Sequence, residues 1–339
     1  MNVLVVNIGS TSFKFRLIDM VDERVLAQGV VEGVGKRMSN MTFQRGDTTP
    51  AVAQQPVADQ AAAIRVCLRA LTSVERGRAP SIDAVGFKAV HGGQIADAVR
   101  VTPDVLRIME SFAEAAPAHN PAYVTAMKTF AEQMPDTPLV AAFETGFHQT
   151  IPEARHTYAV PYEWKERYGV RRYGFHGASH RYIASRVAEL LGRRDLRIVS
   201  CHLGGSNSIC AIRDGRSIAN SFGMTPQSGL PQNNRVGDFD AYALLTLRAR
   251  TGLAFDELLA RLASTGGLLG ISGVSNDMQE ILNAAEAGHE RARLAVSVLV
   301  ESVRDYIGAY LVALGGLDVL VFTGGIGEGS AEVRRRVCY

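Results

Sequence analysis

The chain has 339 residues, 47% hydrophobic and 21% charged, with a formal net charge of +2. That length supports two domains with their own cores, and the near-balanced charge removes the electrostatic case for nucleic acid or a membrane surface as partner. No charged, apolar leader opens the chain; residues 294–300, its longest apolar helical run, are cut by Glu301 and Arg304, too early to span a bilayer; and four scattered cysteines without a C-x-x-C pair point to reduced thiols in a cytoplasmic protein.

In chain order, the apolar run 3–6 reads as a strand that meets Asn7-Ile8-Gly9-Ser10-Thr11-Ser12, and 13–18 alternates as a second strand stopped at Asp19. Residues 45–56 read as a polar loop, 57–71 as a helix, and 82–90 as a strand ending at His91-Gly92-Gly93. Thr102-Pro103-Asp104 is a helix start, with threonine as cap and proline in the first turn. A helix from His119-Asn120-Pro121 to about 133 and a strand at 139–143 follow. In the second half, 161–164 opens a short helix and 176–180 begins one that runs to about 191. Residues 196–201 and 209–212 repeat the hairpin around His202-Leu203-Gly204-Gly205-Ser206-Asn207-Ser208, with Cys201 and Cys210 expected to face each other across it. A long polar loop spans 223–237. Helices are expected at about 238–250, 255–263, 276–287 and 289–314, the last with a stripe of Ala295, Val298, Leu299, Ser302, Tyr306 and Tyr310 and a stop at Gly315-Gly316. A buried strand at 319–322 runs into the glycine loop 324–329. Strands and helices alternate, which argues for α/β layers. Two hairpins of the same kind, each with a Gly/Ser turn that bares backbone N–H groups, suggest two similar domains closing on a polyphosphate.

The glycine loop at 324–329 is not a dinucleotide fingerprint, because no βαβ unit or ribose-binding acid follows it; at a helix start it can still hold the nucleotide end of ATP. Six of the eight histidines (His91, His119, His148, His176, His180 and His202) fall at loop or helix starts beside glycine or polar residues, as in a cleft. His176 and His180 have the i, i+4 spacing of zinc ligands, but no third ligand is evident and the glutamate of H-E-x-x-H is absent, so zinc is set aside.

Over nearly its whole length the chain resembles the acetate kinase family of the actin, sugar-kinase and heat-shock-70 superfamily. The resemblance rests on Asn7-Ile8-Gly9-Ser10-Thr11-Ser12-Phe13-Lys14, Val90-His91-Gly92-Gly93, His119-Asn120-Pro121-Ala122 and Phe147-His148-Gln149-Thr150. It continues through Arg171-Arg172-Tyr173-Gly174-Phe175-His176-Gly177-Ala178-Ser179-His180, Gly223-Met224-Thr225-Pro226, Arg235-Val236-Gly237-Asp238, residues 268–277, and Gly325-Ile326-Gly327-Glu328. It implies an α/β fold of two actin-like (ribonuclease H-like) domains, each a mixed sheet with flanking helices, with the active site in the interdomain cleft. The expected domains are 1–147 and 148–339, the second binding nucleotide and forming a homodimer. The implied reaction moves a phosphoryl group from ATP to a short carboxylate with Mg²⁺ (or Mn²⁺), giving ADP and an acyl phosphate. A carboxylate nucleophile is ionised at neutral pH and needs no general base, so catalysis is positioning and charge stabilisation in an in-line transfer.

By the resemblance, Arg235 clamps the transferring phosphoryl group, His176 donates to an equatorial oxygen, and Lys88 and Glu144 stand at catalytic positions. Asn7, Ser10, Ser12 and Lys14 hold phosphate and the metal's water, with Asn7 as metal ligand. His202, Gly204, Gly205, Ser206, Asp277, Met278, Gln279, Gly325, Ile326 and Gly327 bind the nucleotide. Val90, Ala118, Phe175 and Pro226 line the acid pocket, buttressed by His119. The chain also departs from the pattern. Lys88 replaces an arginine, Glu144 an aspartate, and Gly205-Ser206 an Asn-Gly pair for which Ser206 or Asn207 is the expected substitute. Gln279 replaces an arginine and Gly329 an asparagine near the adenosine position. Ala118 replaces a leucine, which enlarges the pocket and predicts that propionate is accepted as well as acetate. The resemblance further implies a C-terminal segment bearing a metal-binding glutamate; without it, apolar surface is expected around 319–322. Two other readings stay open: a carboxylate kinase using pyrophosphate or another donor, and a nucleotide-binding regulatory or assembly protein without turnover.

Overall fold

The computed structural model describes residues 1–9, 11–73, 80–96, 98–117 and 119–339. They form two compact units, Met1–Gly146 and Phe147–Tyr339.

The first unit is built on β1 (Asn2–Ile8), β2 (Ser12–Asp19), β3 (Arg24–Glu32), β4 (Ser39–Arg45), β5 (Ala51–Gln55), β6 (Ala84–Ala89), β7 (Ala98–Arg100) and β8 (Leu139–Phe143), in the order β5-β4-β3-β2-β1-β6-β8-β7. Along β1 and β2, alternation buries Leu4, Val6, Ile8, Phe13, Phe15 and Leu17 on one face and leaves Val5, Asn7, Lys14 and Arg16 on the other. The helices Gln60–Thr72 and Asn120–Gln133 cover the buried face through Ile64, Cys67, Tyr123, Met127 and Phe130. β1 pairs in parallel with β6, so a crossover must join them, and Gln60–Thr72 lies in it. That helix starts later than its periodicity because Asp59 caps it, accepting from Ala62 N–H at 2.7 Å. Thr102 caps Pro103–Ser111 as expected. The loop expected at 45–56 instead contains β5, an edge strand with every residue exposed. Neither of its faces is buried, so it has no hydrophobic period to read, and backbone pairing with β4 alone defines it.

The second unit carries β9 (Arg197–His202), β10 (Ser208–Arg213), β11 (Arg216–Asn220) and β12 (Val319–Thr323), in the order β11-β10-β9-β12. β9 is antiparallel to β10 and parallel to β12, just as β1 is antiparallel to β2 and parallel to β6. The outer strands β3 and β11 are likewise antiparallel to β2 and β10. The repeated hairpin is therefore a repeat of four-strand topology. Helix Glu290–Leu314 packs on one face through Ala295, Val296, Leu299 and Val303, and helix Gly177–Leu191 on the other through Ile183, Ala184 and Val187. Val298, Ser302 and Tyr306 are only half-buried, at the margin of the long helix's core stripe.

One expectation is corrected in this sheet. Cys201 stands opposite Ile209 and Cys210 opposite Ser200, so the two thiols point to opposite faces, into different cores. Both thiols are free, and burial pushes both up, Cys210 to about 12. β12, at the edge of the sheet, is half-buried throughout: Val319 and Val321 pack against one core and Leu320 and Phe322 against the other, and each keeps part of its apolar surface accessible. Among the described residues, no helix is long and apolar enough to cross a membrane.

Candidate active site

In the first unit the open face of the sheet is a groove of about 630 Å³ whose lining includes Asn7, Lys14, Arg16, Glu32 and Lys88. Asn7 and Lys14 are register partners across the hairpin, which brings them together. The Ser12 hydroxyl fills the space beside Gly9, where a Cβ would stand 2.6 Å from Ser12 Oγ. Ser10 and Ala118 lie outside the described residues. The Lys88 Nζ is 3.4 Å from Oε1 of Glu144, whose side chain is 5% exposed. The shorter-reaching lysine and the longer glutamate thus still meet. Asn120 ties the neighbouring loop down: it accepts from His91 N–H at 3.1 Å and donates to His91 and Met109 carbonyls at 3.0 and 2.8 Å. His119 precedes it as the helix cap without a capping side-chain bond, and Val90 packs on the core.

Tyr123, not foreseen from the sequence, organises Asn7. Its phenol accepts from Ile8 N–H at 2.9 Å and lies 3.2 Å from Asn7 Oδ1. With its oxygen accepting from the backbone, the single phenolic hydrogen goes to Oδ1, which orients the amide and leaves Oδ1 a second lone pair. The only sequence signal was an aromatic on the inward stripe of the H-N-P-A helix start.

In the second unit Arg235 is half-buried on the 223–237 loop. Its Nη1 donates to Pro226 O at 2.8 Å and its Nη2 to Ser206 Oγ at 2.7 Å. Neither partner is charged, so the guanidinium is positioned without being neutralised, and burial pushes its pKa down. This contact joins the expected clamp, acid pocket and phosphate loop. Of the two residues expected as substitutes at the changed pair, Ser206 is the one in contact with Arg235. Asn207 is fully buried: its Oδ1 accepts from Gly204 N–H at 2.9 Å, its Nδ2 donates to Pro231 O at 2.7 Å, and its N–H donates to Gln232 Oε1. Asn207 is a brace for the turn, and the group beside Arg235 is Ser206. Asn233 rests against Gly205, its Nδ2 3.5 Å from where a Cβ would stand.

Because β9 and β12 run side by side, their glycine turns abut: Gly204 lies close to Gly325, and Leu203 O accepts from Ile326 and Gly327 N–H at 2.9 and 3.0 Å. The expected glycine loop is a short helix, Gly324–Gly329. Glu328 closes it, accepting from Thr323 Oγ1 and Gly324 N–H at 3.0 and 3.1 Å. Asp277 caps helix Met278–Glu286 by accepting from Gln279 and Glu280 N–H, the Met278 side chain joins the core, and Gln279 is exposed, donating to Asn283.

His176 caps helix Gly177–Leu191 in the left-handed conformation, φ 59°. Its ring lies 4.2 Å from that of His202 and 5.3 Å from Phe222, on which Phe175 also packs edge-on. His202 Nδ1 bonds Ser179 Oγ at 2.9 Å. Below them, His148 and His180 are fully buried. Burial pushes His148 down to about 4, and His180 well below the usual histidine range.

The two-unit α/β architecture is that of acetate and propionate kinases of known structure. The chain is similar to a crystal structure of Porphyromonas gingivalis acetate kinase (TM-score 0.92, 40% identity, covering 99% of this chain and 86% of that one). It is also similar to one of a propionate kinase from Francisella tularensis (TM-score 0.94, 33% identity, 99% and 86%). Residues 2–339 match the model of the Acetokinase family, and acetate kinases of Shouchella clausii and Dictyoglomus turgidum are 42% and 44% identical over 99% and 100% of the chain and 86% and 85% of their own lengths. The chain belongs to the acetokinase family.

Proposed function

We propose that this chain is an ATP-dependent carboxylate kinase that converts acetate or propionate to the acyl phosphate, reversibly, by direct in-line transfer. The observation that carries the reading is Arg235, a half-buried guanidinium whose partners are a carbonyl and a hydroxyl. Two of the five donors in the planar fork are used by those partners, which leaves three for the oxygens of a transferring phosphoryl group. The charge is desolvated and fixed before the substrate arrives, so it stabilises developing charge without reorganisation. His176 supplies a donor to an equatorial oxygen. The turns at Gly205 and Gly325 present backbone to the nucleotide phosphates, with Gly204 held in place by Asn207, and Asn7, Ser12 and Lys14 hold phosphate from the first unit. Val90, Phe175 and Pro226 bind the acid's apolar end.

Mg²⁺, or Mn²⁺ in its place, belongs to this reading. Among the described residues no group of three His, Cys, Asp or Glu could hold an ion. Mg²⁺ keeps several waters and takes few protein ligands besides substrate phosphates, so the remaining Asn7 Oδ1 lone pair and the Glu144 carboxylate are a fitting donor set. Bound there, the ion would neutralise phosphate charge. A homodimer in the cytoplasm completes the proposal.

The test is hydroxylamine trapping of acyl phosphate with ATP, Mg²⁺ and a panel of acids and donors. Acetate and propionate are expected within about tenfold of each other, since one methylene discriminates weakly. Arg235→Ala is expected to lower kcat by roughly 10²–10³-fold. Trapping with pyrophosphate but not ATP, or no turnover at all, overturns the reading in favour of another donor or a non-catalytic protein.

A further inference from the structure

A line of polar groups runs from the interior of the second unit to His176. Ser200 Oγ lies 2.9 Å from His180 Nδ1, His180 Nε2 lies 2.8 Å from Ser208 Oγ, and Ser208 Oγ lies 2.8 Å from His176 Nδ1. Ser200, His180 and Ser208 have no solvent exposure. Their place follows from the fold. Ser200 and Ser208 sit on paired strands β9 and β10, and His180 is one turn beyond His176 on the helix that packs against them.

A mixed arrangement, in which His180 Nε2–H and His176 Nδ1–H both donate to Ser208, leaves the Ser208 hydroxyl hydrogen without an acceptor among the described residues; two arrangements keep one direction throughout. In one, Ser200 donates to His180 Nδ1, His180 Nε2–H donates to Ser208, and Ser208 donates to His176 Nδ1. The proton of a neutral His176 is then on Nε2. In the other, every bond is reversed: His176 Nδ1–H donates to Ser208, Ser208 to His180 Nε2, and His180 Nδ1–H to Ser200. The second arrangement uses Ser200 as an acceptor and leaves its own hydroxyl hydrogen without an acceptor, since His180 Nδ1 is its one hydrogen-bond partner among the described residues. A buried donor left unmade is costly, enough to bias an equilibrium by about tenfold or more. The first arrangement gives the Ser200, His180 and Ser208 hydrogens each an acceptor. Burial supports it by keeping His180 neutral, with one nitrogen to accept and one to donate.

We propose that Ser200, His180 and Ser208 form a directional hydrogen-bond relay that fixes His176 as the Nε2–H tautomer, with Ser200 as a positioning residue remote from the reacting atoms. The proposal rests on the carboxylate-kinase reading in one respect: it makes His176 a neutral hydrogen-bond donor to the phosphoryl oxygens. Its physical content, a tautomer set from the protein interior, is read without turnover.

The experiment is ring ¹⁵N NMR of the histidine-labelled full chain above the imidazole titration range, with the His176 signals assigned from their loss in His176→Gln. The expected wild-type spectrum shows His176 as Nε2–H. In Ser200→Ala the His180 Nδ1 loses its hydroxyl donor, the bias disappears, and the His176 signals move to those of a tautomer mixture. Ser200→Thr restores the wild-type pattern. In the acyl-phosphate assay Ser200→Ala lowers kcat by no more than about twofold, as halving the competent tautomer requires, with KM unchanged. A wild-type His176 protonated on Nδ1 overturns the proposal with no variant needed. So does a Ser200→Ala spectrum in which His176 is unchanged. An inactive wild-type chain with the expected spectrum would instead overturn the kinase reading and leave the relay standing.

Discussion

Tyr123 makes a buried phenol serve two masters: it satisfies the Ile8 amide and aims the Asn7 carboxamide. Replacing Tyr123 by Phe keeps the ring in the core but removes both bonds. The Ile8 N–H is then buried without a partner, at a cost of about 1–3 kcal/mol, measured as a lower urea midpoint with unchanged slope. The Asn7 amide is freed at the same time, and the KM for ATP should rise more than kcat falls. If stability drops and KM does not move, Tyr123 is only a core residue. Arg235 shows the same economy in the other unit, where two neutral acceptors hold a cation without consuming its charge. At this scale the sequence was informative about charged and hydroxylated candidates and silent about what orients them. Arg235 and Ser206 stand out by type. Their 2.7 Å contact joins residues twenty-nine positions apart, and no local pattern encodes it.

Among the elements, the turn between β12 and the Gly324–Gly329 helix is tightly constrained. Gly324 has φ 80°, and a Cβ there would lie 2.6 Å from Leu203 O, the same oxygen that receives Ile326 and Gly327 N–H. Gly324→Ala is therefore expected to destabilise the chain by at least ~1–2 kcal/mol from the left-handed backbone alone. The displaced turn should also weaken ATP binding, and calorimetric titration with the nucleotide checks this against the urea curve. Affinity equal to wild type would show that this turn does not serve the nucleotide. Elements with a buried face and a cap were legible: β8, the helix Asn120–Gln133 and the start of Pro103–Ser111 follow from alternation, proline and threonine. β5 was not, because an exposed edge strand carries no burial pattern. The choice between Ser206 and Asn207 was not legible, because an amide beside a glycine turn looks the same in sequence whether it faces a ligand or braces the loop, as Asn207 does.

At the scale of the molecule, the buried histidines couple stability to pH. His148 accepts from Ser217 Oγ on Nδ1 and donates from Nε2 to Phe175 O, both at 2.8 Å, an arrangement that requires the neutral ring. Its folded pKa of about 4 lies below the ordinary value of 6.5, so between those limits the unfolded chain binds more protons than the folded one. The stabilisation is fully present above pH 6.5 and is lost as pH falls through about 4. For His148 the span is worth about 3 kcal/mol, and His180 shifts in the same direction. Urea midpoints across this range should fall on acidification, and His148→Gln should flatten the slope. A midpoint independent of pH in that window would contradict the buried neutral state.

By itself the sequence determined the α/β layering, the two glycine-turn hairpins and the family, because strand and helix periodicities and glycine turns are local and the motifs lie in contiguous runs. The tertiary structure alone decided which side chains act together. The parallel pairing of β9 with β12 sets two glycine turns side by side, Ser206 meets Arg235 across a loop, and Ser200 and Ser208 reach His176 through His180. The opening pair of hairpins proves to be a topological repeat whose first turn is ordered by a tyrosine and whose second is braced by a buried asparagine. Such contacts depend on strand register and burial, which arise only when distant segments pack, so the chemistry of the site is assembled by the fold from residues the sequence keeps apart.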